Sequence, residues 1–462
     1  MKRITQRCLE LAFLVVILCF VTATAMAATP KAIEHKAAPV DPVVNAQTLL
    51  DDMQHARYDA VFARFDDNMK AHVSAGQLKA VWESLPQQMG ALKQRGSPTA
   101  TTKDGMTMVS VPLIFVNGRL AAHVASNTAG QVIGFFIQPD ASPAPPARAD
   151  LPTREVRFGP LDRTLPGTLL LPKKSLLKSS VTTRRWSAVV MVHGSGPQDR
   201  DETVGGTRVF RDLAEGLADR DIASLRYEKR SKARPQDFSG IYTIDDETTD
   251  DAVAAVAFLR TQPDIDPARI FVIGHSLGAM MAPRIVQKIS AEKSSQPAGL
   301  VLMAAPARPL EDILLDQQTY LAMNDGKIDS KERMQIDALK VSIADVKKID
   351  TKTRPTSKFL LDLPASYWRS LQDYDPAAVV KTLRQPLLIL QGDRDFQVTA
   401  PDWTRWQSTF GHDKRVTIKH YPALSHLFVA GKGRGGIAEY SRPAHVEPQV
   451  ITDIADWIQA RK

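Results

Sequence analysis

From about Leu165 to the C-terminus, short apolar runs alternate with stretches of helical period, and no other feature constrains the fold of this chain as strongly. "LPGTLLLP" reads as an antiparallel strand, and "SAVVMVHGSG" as a buried strand ending in a glycine loop. "VFRDLAEGLADRD" has the period of an amphipathic helix and "IASLRY" that of a strand. "DDETTDDAVAAVAFLRTQ" crowds its acids at the start, where they suit the positive end of a helix dipole. Next come "RIFVIG", a helix after Leu277, "AGLVLMAAP", a long helical insertion, "PLLILQG", a helix from about Ala400, "RVTIKHYP" and a last helix from about Val446. Apolar strands separated by helices predict an α/β fold, with a mostly parallel sheet covered on both faces. Sites in such sheets lie at the carboxyl ends of strands.

The N-terminal part differs. Residues 1–27 place Lys2, Arg3 and Arg7 ahead of an apolar run from Leu11 to Val21 and end in Ala25-Met26-Ala27, the pattern of a cleaved secretory signal. The run is shorter than the ~20 residues of a membrane span, so a soluble protein without a stable span is expected, either periplasmic or released to the medium. Cys19 follows the bulky Leu18, which disfavours lipid attachment there. Cys8 and Cys19 both fall in the signal, so the mature chain would hold no disulfide and no thiolate metal site. The leader carries +2 of the net charge of +8, leaving +6 spread among interleaved acids. No nucleic-acid motif accompanies them, so nucleic acid is excluded as a partner. Residues 43–139 put helix-period residues first (Leu49, Leu50, Met53, Val61, Phe62, Phe65) and three β-rich runs after. They predict a small α+β domain with a docking or spacer role. Residues 140–152 are a Pro/Ala-rich linker, and residues 153–462 form the second domain.

Within that domain, "RIFVIGHSLGAMM" sets Ser276 one sharp turn beyond a β-rich run and at the start of a helix. Gly274 and Gly278 would let the backbone turn tightly and let strand and helix approach closely, holding the hydroxyl up out of the sheet. A serine hydroxyl is a poor nucleophile unaided and needs a base and an orienting acid. "PLLILQGDRDFQV" offers Asp393 and Asp395 just past a buried strand, and "RVTIKHYPALSHLF" offers His426 in the loop after the next one. Serine, acid and histidine thus fall in the required order on one edge of the sheet. His412, His420 and His445 are less well placed, and His193 and His275 read as loop-shaping or packing residues.

On these residues the chain from about Glu155 onward resembles an α/β-hydrolase, with Gly274-His275-Ser276-Leu277-Gly278 as its nucleophile elbow. The family's G-x-x-D-x-x-V matches Gly392, Asp395 and Val398, so the resemblance implies Asp395 as the acid rather than Asp393. "HGSGPQDRDET" is similar to bacterial secreted serine esterases that carry a small extra domain ahead of the hydrolase. The resemblance implies a catalytic triad of Ser276, Asp395 and His426 and a small-molecule ester substrate, with no cofactor and no metal. An oxyanion hole would come from the backbone N–H groups of Leu277 and Ser195, each donor being worth about 3 kcal/mol of barrier. The insertion of about 307–384 would act as a cap. Its Leu314, Leu315, Tyr320, Leu321, Phe359, Leu360, Tyr367 and Trp368 either line a pocket or form the cap's own core.

Three other stretches carry less. Asp199-Arg200-Asp201-Glu202 could orient a substrate, but is expected rather to close its loop by internal ion pairs. "NDGKIDSKE" places Leu321 and Met323 where a calcium loop needs oxygen donors, and so reads as a helix-breaking turn. "GKGRGG" from Gly431 lacks the lysine–hydroxyl end of a phosphate loop and reads as a mobile basic loop behind His426. The first expectation is therefore a secreted carboxylic ester hydrolase. A peptidase or aminopeptidase, or a thioesterase or acyltransferase, would use the same residues. A cell-envelope binding protein on a silent hydrolase scaffold is the alternative outside enzymes, and oligomeric state is left open.

Overall fold

The computed structural model describes residues 41–461, apart from 104, 117, 141–147 and 174–184. The predicted leader with Cys8 and Cys19, and most of the Pro/Ala-rich linker, lie outside the described residues.

The chain divides into two compact units, the smaller comprising the described residues up to 140 together with Ile437–Pro443. Helices Pro42–Gln54, Tyr58–Ala63, Asp67–His72 and Ala75–Met89 open this unit. Asp41 caps the first of them by accepting the Val43 N–H, and Ser74 and Gln77 form a capping box at the fourth. The sheet that follows is antiparallel and has five strands, with Met106–Phe115, Arg119–Ser126 and Val132–Pro139 where the sequence predicts them. Its two other strands, Leu92–Arg95 and Thr99–Lys103, were not foreseen. "LKQR" and "TATTK" are short and largely polar, and are held by pairing with Met106–Phe115. Alternate residues Val109, Val111, Leu113 and Phe115 turn inward onto Leu49, Leu50 and Val61 of the helices and Phe65 between the second and third, as period-two burial requires.

The larger unit is built on eight strands: β1 Thr153–Phe158, β2 Leu165–Leu170, β3 Trp186–Val192, β4 Ile222–Tyr227, β5 Ile265–His275, β6 Gly299–Met303, β7 Leu387–Gly392 and β8 Val416–Tyr421. They lie in the order β8-β7-β6-β5-β3-β4-β2-β1. The pairs from β8 to β4 are parallel, and β2 pairs antiparallel with both β4 and β1. Strand β1 escaped sequence reading because "TREVRF" is an edge strand with alternate residues in solvent and no continuous apolar run. In contrast every residue of β3, β4, β6 and β7 is buried, which is why those runs read so clearly.

Helices α1 Val209–Ala218, α2 Asp250–Arg260, α3 Leu277–Ala291, α8 Ala400–Phe410 and α9 Pro448–Gln459 belong to the strand–helix alternation, as expected. The acidic entry to α2 is wound differently, with Asp245–Thr249 forming a π-helical turn. Between β6 and β7 the insertion contributes α4 Leu310–Ala322, α5 Ser330–Lys347, α6 Ala365–Leu371 and α7 Pro376–Thr382. Leu314, Leu360, Tyr367 and Trp368 are buried, and the Trp368 indole donates to the Leu360 carbonyl at 3.1 Å, as members of a core would. Gly326, at φ 89°, ends the turn that follows α4. Among the described residues no helix is long and apolar enough to cross a membrane.

Candidate active site

Register sets the carboxyl ends of the central strands side by side. Gly274 pairs with Val192, His275 with Met303, Met303 with Leu390, and Gly392 with Tyr421. The loops after β3, β5, β7 and β8 therefore leave from one edge, and they carry Ser195, Ser276, Asp395 and His426 respectively.

Ser276 takes the strain of its own turn, with φ 52° and ψ −120°. Such a conformation is uncommon for a residue with a Cβ and tends to persist where the surroundings over-determine it. Here the Ser276 N–H is held by the Met303 carbonyl at 2.9 Å and the Ser276 carbonyl by Met280 N–H at 3.0 Å. The flanking glycines serve close approach. A Cβ on Gly278 would stand 2.0 Å from the Val192 carbonyl oxygen, and one on Gly274 would stand 2.3 Å from the Gly278 carbonyl oxygen. The start of α3 is thus pressed onto the end of β3.

His426 is 3% exposed, and its Nδ1 lies 2.7 Å from Asp395 Oδ2. A carboxylate can only accept, so Nδ1 is the donor, and in the neutral ring Nε2 is the nitrogen with the lone pair. Asp395 Oδ1 accepts the Gln397 and Val398 N–H groups at 2.8 and 2.9 Å, and Oδ2 also accepts Gln391 Nε2 at 3.2 Å. The other carboxylate of that loop, Asp393, pairs instead with exposed His420 at 3.2 Å. A Cβ on Gly392 would meet the Leu424 carbonyl at 2.4 Å, so this glycine lets the acid loop lie against the histidine loop. His445 pairs with Asp212 at the surface.

Among the described residues the Ser276 hydroxyl makes no hydrogen bond. Its neighbour His275 ties the two loops together. His275 Nε2 donates to the His426 carbonyl at 3.0 Å, and Nδ1 faces Glu202 Oε2 at 3.1 Å. The Nδ1–Glu202 contact has the distance of an ion pair but not the alignment of a hydrogen bond. Burial alone would hold the His275 pKa down, yet the adjacent Glu202 carboxylate and the His426 carbonyl outweigh it and raise it above the usual value. His193 goes the other way, because burial, with the Lys229 charge adding to it, lowers it to about 3 and keeps it neutral between Phe210 and Tyr227.

Glu202 ends the Asp199–Glu202 run, to which the sequence assigns no role in the site. It is buried in a left-handed conformation, and its Oε1 accepts the Gly194 N–H at 2.6 Å. Arg200 pairs with Glu228 and Glu155, and Asp201 with Arg226, so these ion pairs run outward to neighbouring strands and loops, and not within the run as the sequence suggests. The loop it anchors runs alongside Ser276, for a Cβ on Gly194 would be 3.2 Å from the serine Cβ. Neither the Ser195 nor the Leu277 backbone N–H donates to a protein acceptor among the described residues. The basic loop from Gly431, expected to be mobile, is tied at several points. Arg394 Nε donates to the Gly433 carbonyl at 2.8 Å, Tyr320 Oη donates to the Gly435 carbonyl at 3.0 Å, and the Arg434 guanidinium lies over the Tyr320 ring at 3.9 Å.

An elbow serine between β5 and α3, with a buried His–carboxylate pair on the loops after β7 and β8, is an arrangement of α/β-hydrolases, and the chain belongs to that family. Residues 189–431 match the alpha/beta hydrolase family, and residues 46–135 match a protein family of unknown function, DUF3887. The chain is 32% identical over 406 residues to esterase EstD of Thermotoga maritima, covering 87% of this chain and 91% of that one. Among solved structures it is similar to the Pyrococcus furiosus esterase Pf2001, at 15% identity over 70% of this chain and 97% of the other, with a TM-score of 0.42. It is also similar to Est1E from Butyrivibrio proteoclasticus, at 15% identity over 66% and 98%, with a TM-score of 0.41.

Proposed function

We propose that the protein is a serine hydrolase of carboxylic esters working through an acyl-enzyme, with Ser276 as nucleophile, His426 as base and acid, and Asp395 orienting the histidine. The observation that carries this reading is the buried His426–Asp395 hydrogen bond of 2.7 Å, on a histidine loop tied to the strained Ser276 elbow by the 3.0 Å contact of His275 Nε2 with the His426 carbonyl; in the neutral ring that bond makes Nε2 the proton acceptor. As Ser276 Oγ attacks the ester carbonyl, Nε2 takes its proton, and the imidazolium formed is stabilised by Asp395. In sites of this kind the nucleophile–base hydrogen bond often tightens only in the substrate complex. Negative charge on the carbonyl oxygen falls to the Leu277 and Ser195 N–H groups, which have no competing acceptor. Collapse of the adduct breaks the carbon–oxygen bond to the leaving alcohol, which receives the proton from His426. Water then attacks the acyl group by the same route, giving the carboxylic acid and free Ser276.

The ester class is supported by the similarity to EstD along nearly the whole chain. The test compares short-chain p-nitrophenyl esters with aminoacyl anilides, on wild type and Ser276→Ala. Ester turnover that falls by at least about 10⁴-fold in the variant is expected. A preference for anilides would replace the esterase reading with a peptidase, and full activity in Ser276→Ala would remove Ser276 from the chemistry. We also propose export of the protein, on the strength of the Lys2–Ala27 leader pattern.

A further inference from the structure

Lys229 is a buried cation just beyond β4, and nothing in the mechanism above uses it. Its Nζ donates to the Gly194 carbonyl at 2.8 Å and lies 2.9 Å from Glu247 Oε1. Glu247 Oε2 in turn accepts the hydroxyl of Tyr367, on α6 of the insertion, at 2.8 Å. Gly194 is therefore gripped on both sides, its N–H by Glu202 at 2.6 Å and its carbonyl by Lys229. A buried Lys–Glu pair is a poor source of stability, because desolvation offsets most of the attraction. What this pair fixes is a peptide plane.

Among the described residues every peptide bond is trans. In a trans peptide the carbonyl and the following N–H point in opposite directions. Anchoring the Gly194 carbonyl on Lys229 therefore turns the Ser195 N–H to the opposite side of the loop. We propose that Lys229 is a positioning residue for ester hydrolysis, aiming the Ser195 N–H at the developing oxyanion, while Glu247 and Tyr367 hold its ammonium group in place. The inference rests on the reading of Ser276 as the nucleophile. It makes the orientation of one oxyanion donor depend on a hydroxyl supplied by the insertion.

The test uses the full chain with active-site concentration set by fluorophosphonate titration. Lys229→Met combined with Glu247→Gln removes both charges, so that neither is left buried alone. Two readouts are compared: kcat and KM on a p-nitrophenyl ester, and Ki for an aryl boronic acid. The boronic acid adds Ser276 Oγ to boron with transfer of the serine proton to His426, which leaves a boron-bound oxygen in the oxyanion position. The double variant is expected to lose kcat by about 10- to 100-fold, short of or equal to the loss of a whole donor, with KM changed by less than about threefold and Ki raised by the same factor as kcat falls. A kcat within about twofold of wild type overturns the proposal, and so does a fall in kcat that leaves Ki unchanged. If the double variant does not fold, Tyr367→Phe carries the test, with an expected loss of about 3- to 10-fold in kcat and a matching rise in Ki. Unchanged kcat in that variant overturns the proposal. Failure of the esterase reading would look different, with wild type inactive on esters or Ser276→Ala still active.

Discussion

Adding one methyl group at Gly278 tests how tightly the elbow is built. An alanine Cβ there would stand 2.0 Å from the Val192 carbonyl oxygen and 2.6 Å from that of His193, whereas real Cβ atoms essentially never come within 3.0 Å of a neighbour. Both sides of the contact are backbone, so no side chain can swing away, and the start of α3 must retreat from β3 by about 1 Å. That movement carries Ser276 and the Leu277 N–H with it. Overpacking of this kind costs about 1–3 kcal/mol of stability. Displacing reacting groups by about 1 Å costs on the order of 10²-fold in rate. The assay pairs steady-state ester kinetics with thermal unfolding. Gly278→Ala is expected to lower kcat/KM by roughly two orders of magnitude and Tm by a few degrees. Gly240→Ala is the control, since a Cβ there meets nothing within 4 Å, and it should leave activity unchanged. A Gly278→Ala protein with wild-type Tm and with kcat/KM within about threefold of wild type would refute the close-approach argument.

Three further outcomes are expected. Asp395→Asn should lower kcat by about 10³- to 10⁴-fold by allowing the wrong His426 tautomer, whereas Asp393→Asn, at the carboxylate that pairs with exposed His420, should stay within about twofold; equal losses would mean the acid has been misassigned. His193 has a pKa of about 3 in the fold against about 6.5 in the unfolded chain, so between these values only the unfolded chain takes the proton and stability falls as pH falls. Urea unfolding should show the wild type losing about 2 kcal/mol from this source between pH 6.5 and roughly pH 5, and His193→Leu should lose correspondingly less over the same range; parallel curves would contradict the buried neutral ring. The exported protein should begin at Ala28 when its N-terminus is sequenced, and an intact Met1 on material from the medium or periplasm would contradict cleavage after Ala27.

Much of the fold is legible because the features that reveal it are local. β3, β4, β6 and β7 are buried throughout, so their sequences are unbroken apolar runs, and the elbow glycines stand next to the serine they serve. The same locality explains the misses. "TREVRF", "LKQR" and "TATTK" become strands only because a partner strand pairs with them, and their own residues say little. The π-helical turn at Asp245–Thr249 leaves no mark on residue spacing. Glu202 and Lys229 meet at Gly194 from positions 8 and 35 residues away, so their joint grip exists only in three dimensions. Sequence alone could flag Glu202 as one of several acids in a loop. Burial and a left-handed backbone separate it from Asp199 and Asp201.

Whether the elbow serine is chemically activated is tested most directly by intact-protein mass spectrometry after brief exposure to a fluorophosphonate. The wild type should gain one adduct, mapped by peptide sequencing to Ser276, and both Ser276→Ala and His426→Ala should stay unmodified over the same interval. An unlabelled wild type, or a label that persists when His426 is removed, would contradict activation of Ser276 by the buried imidazole.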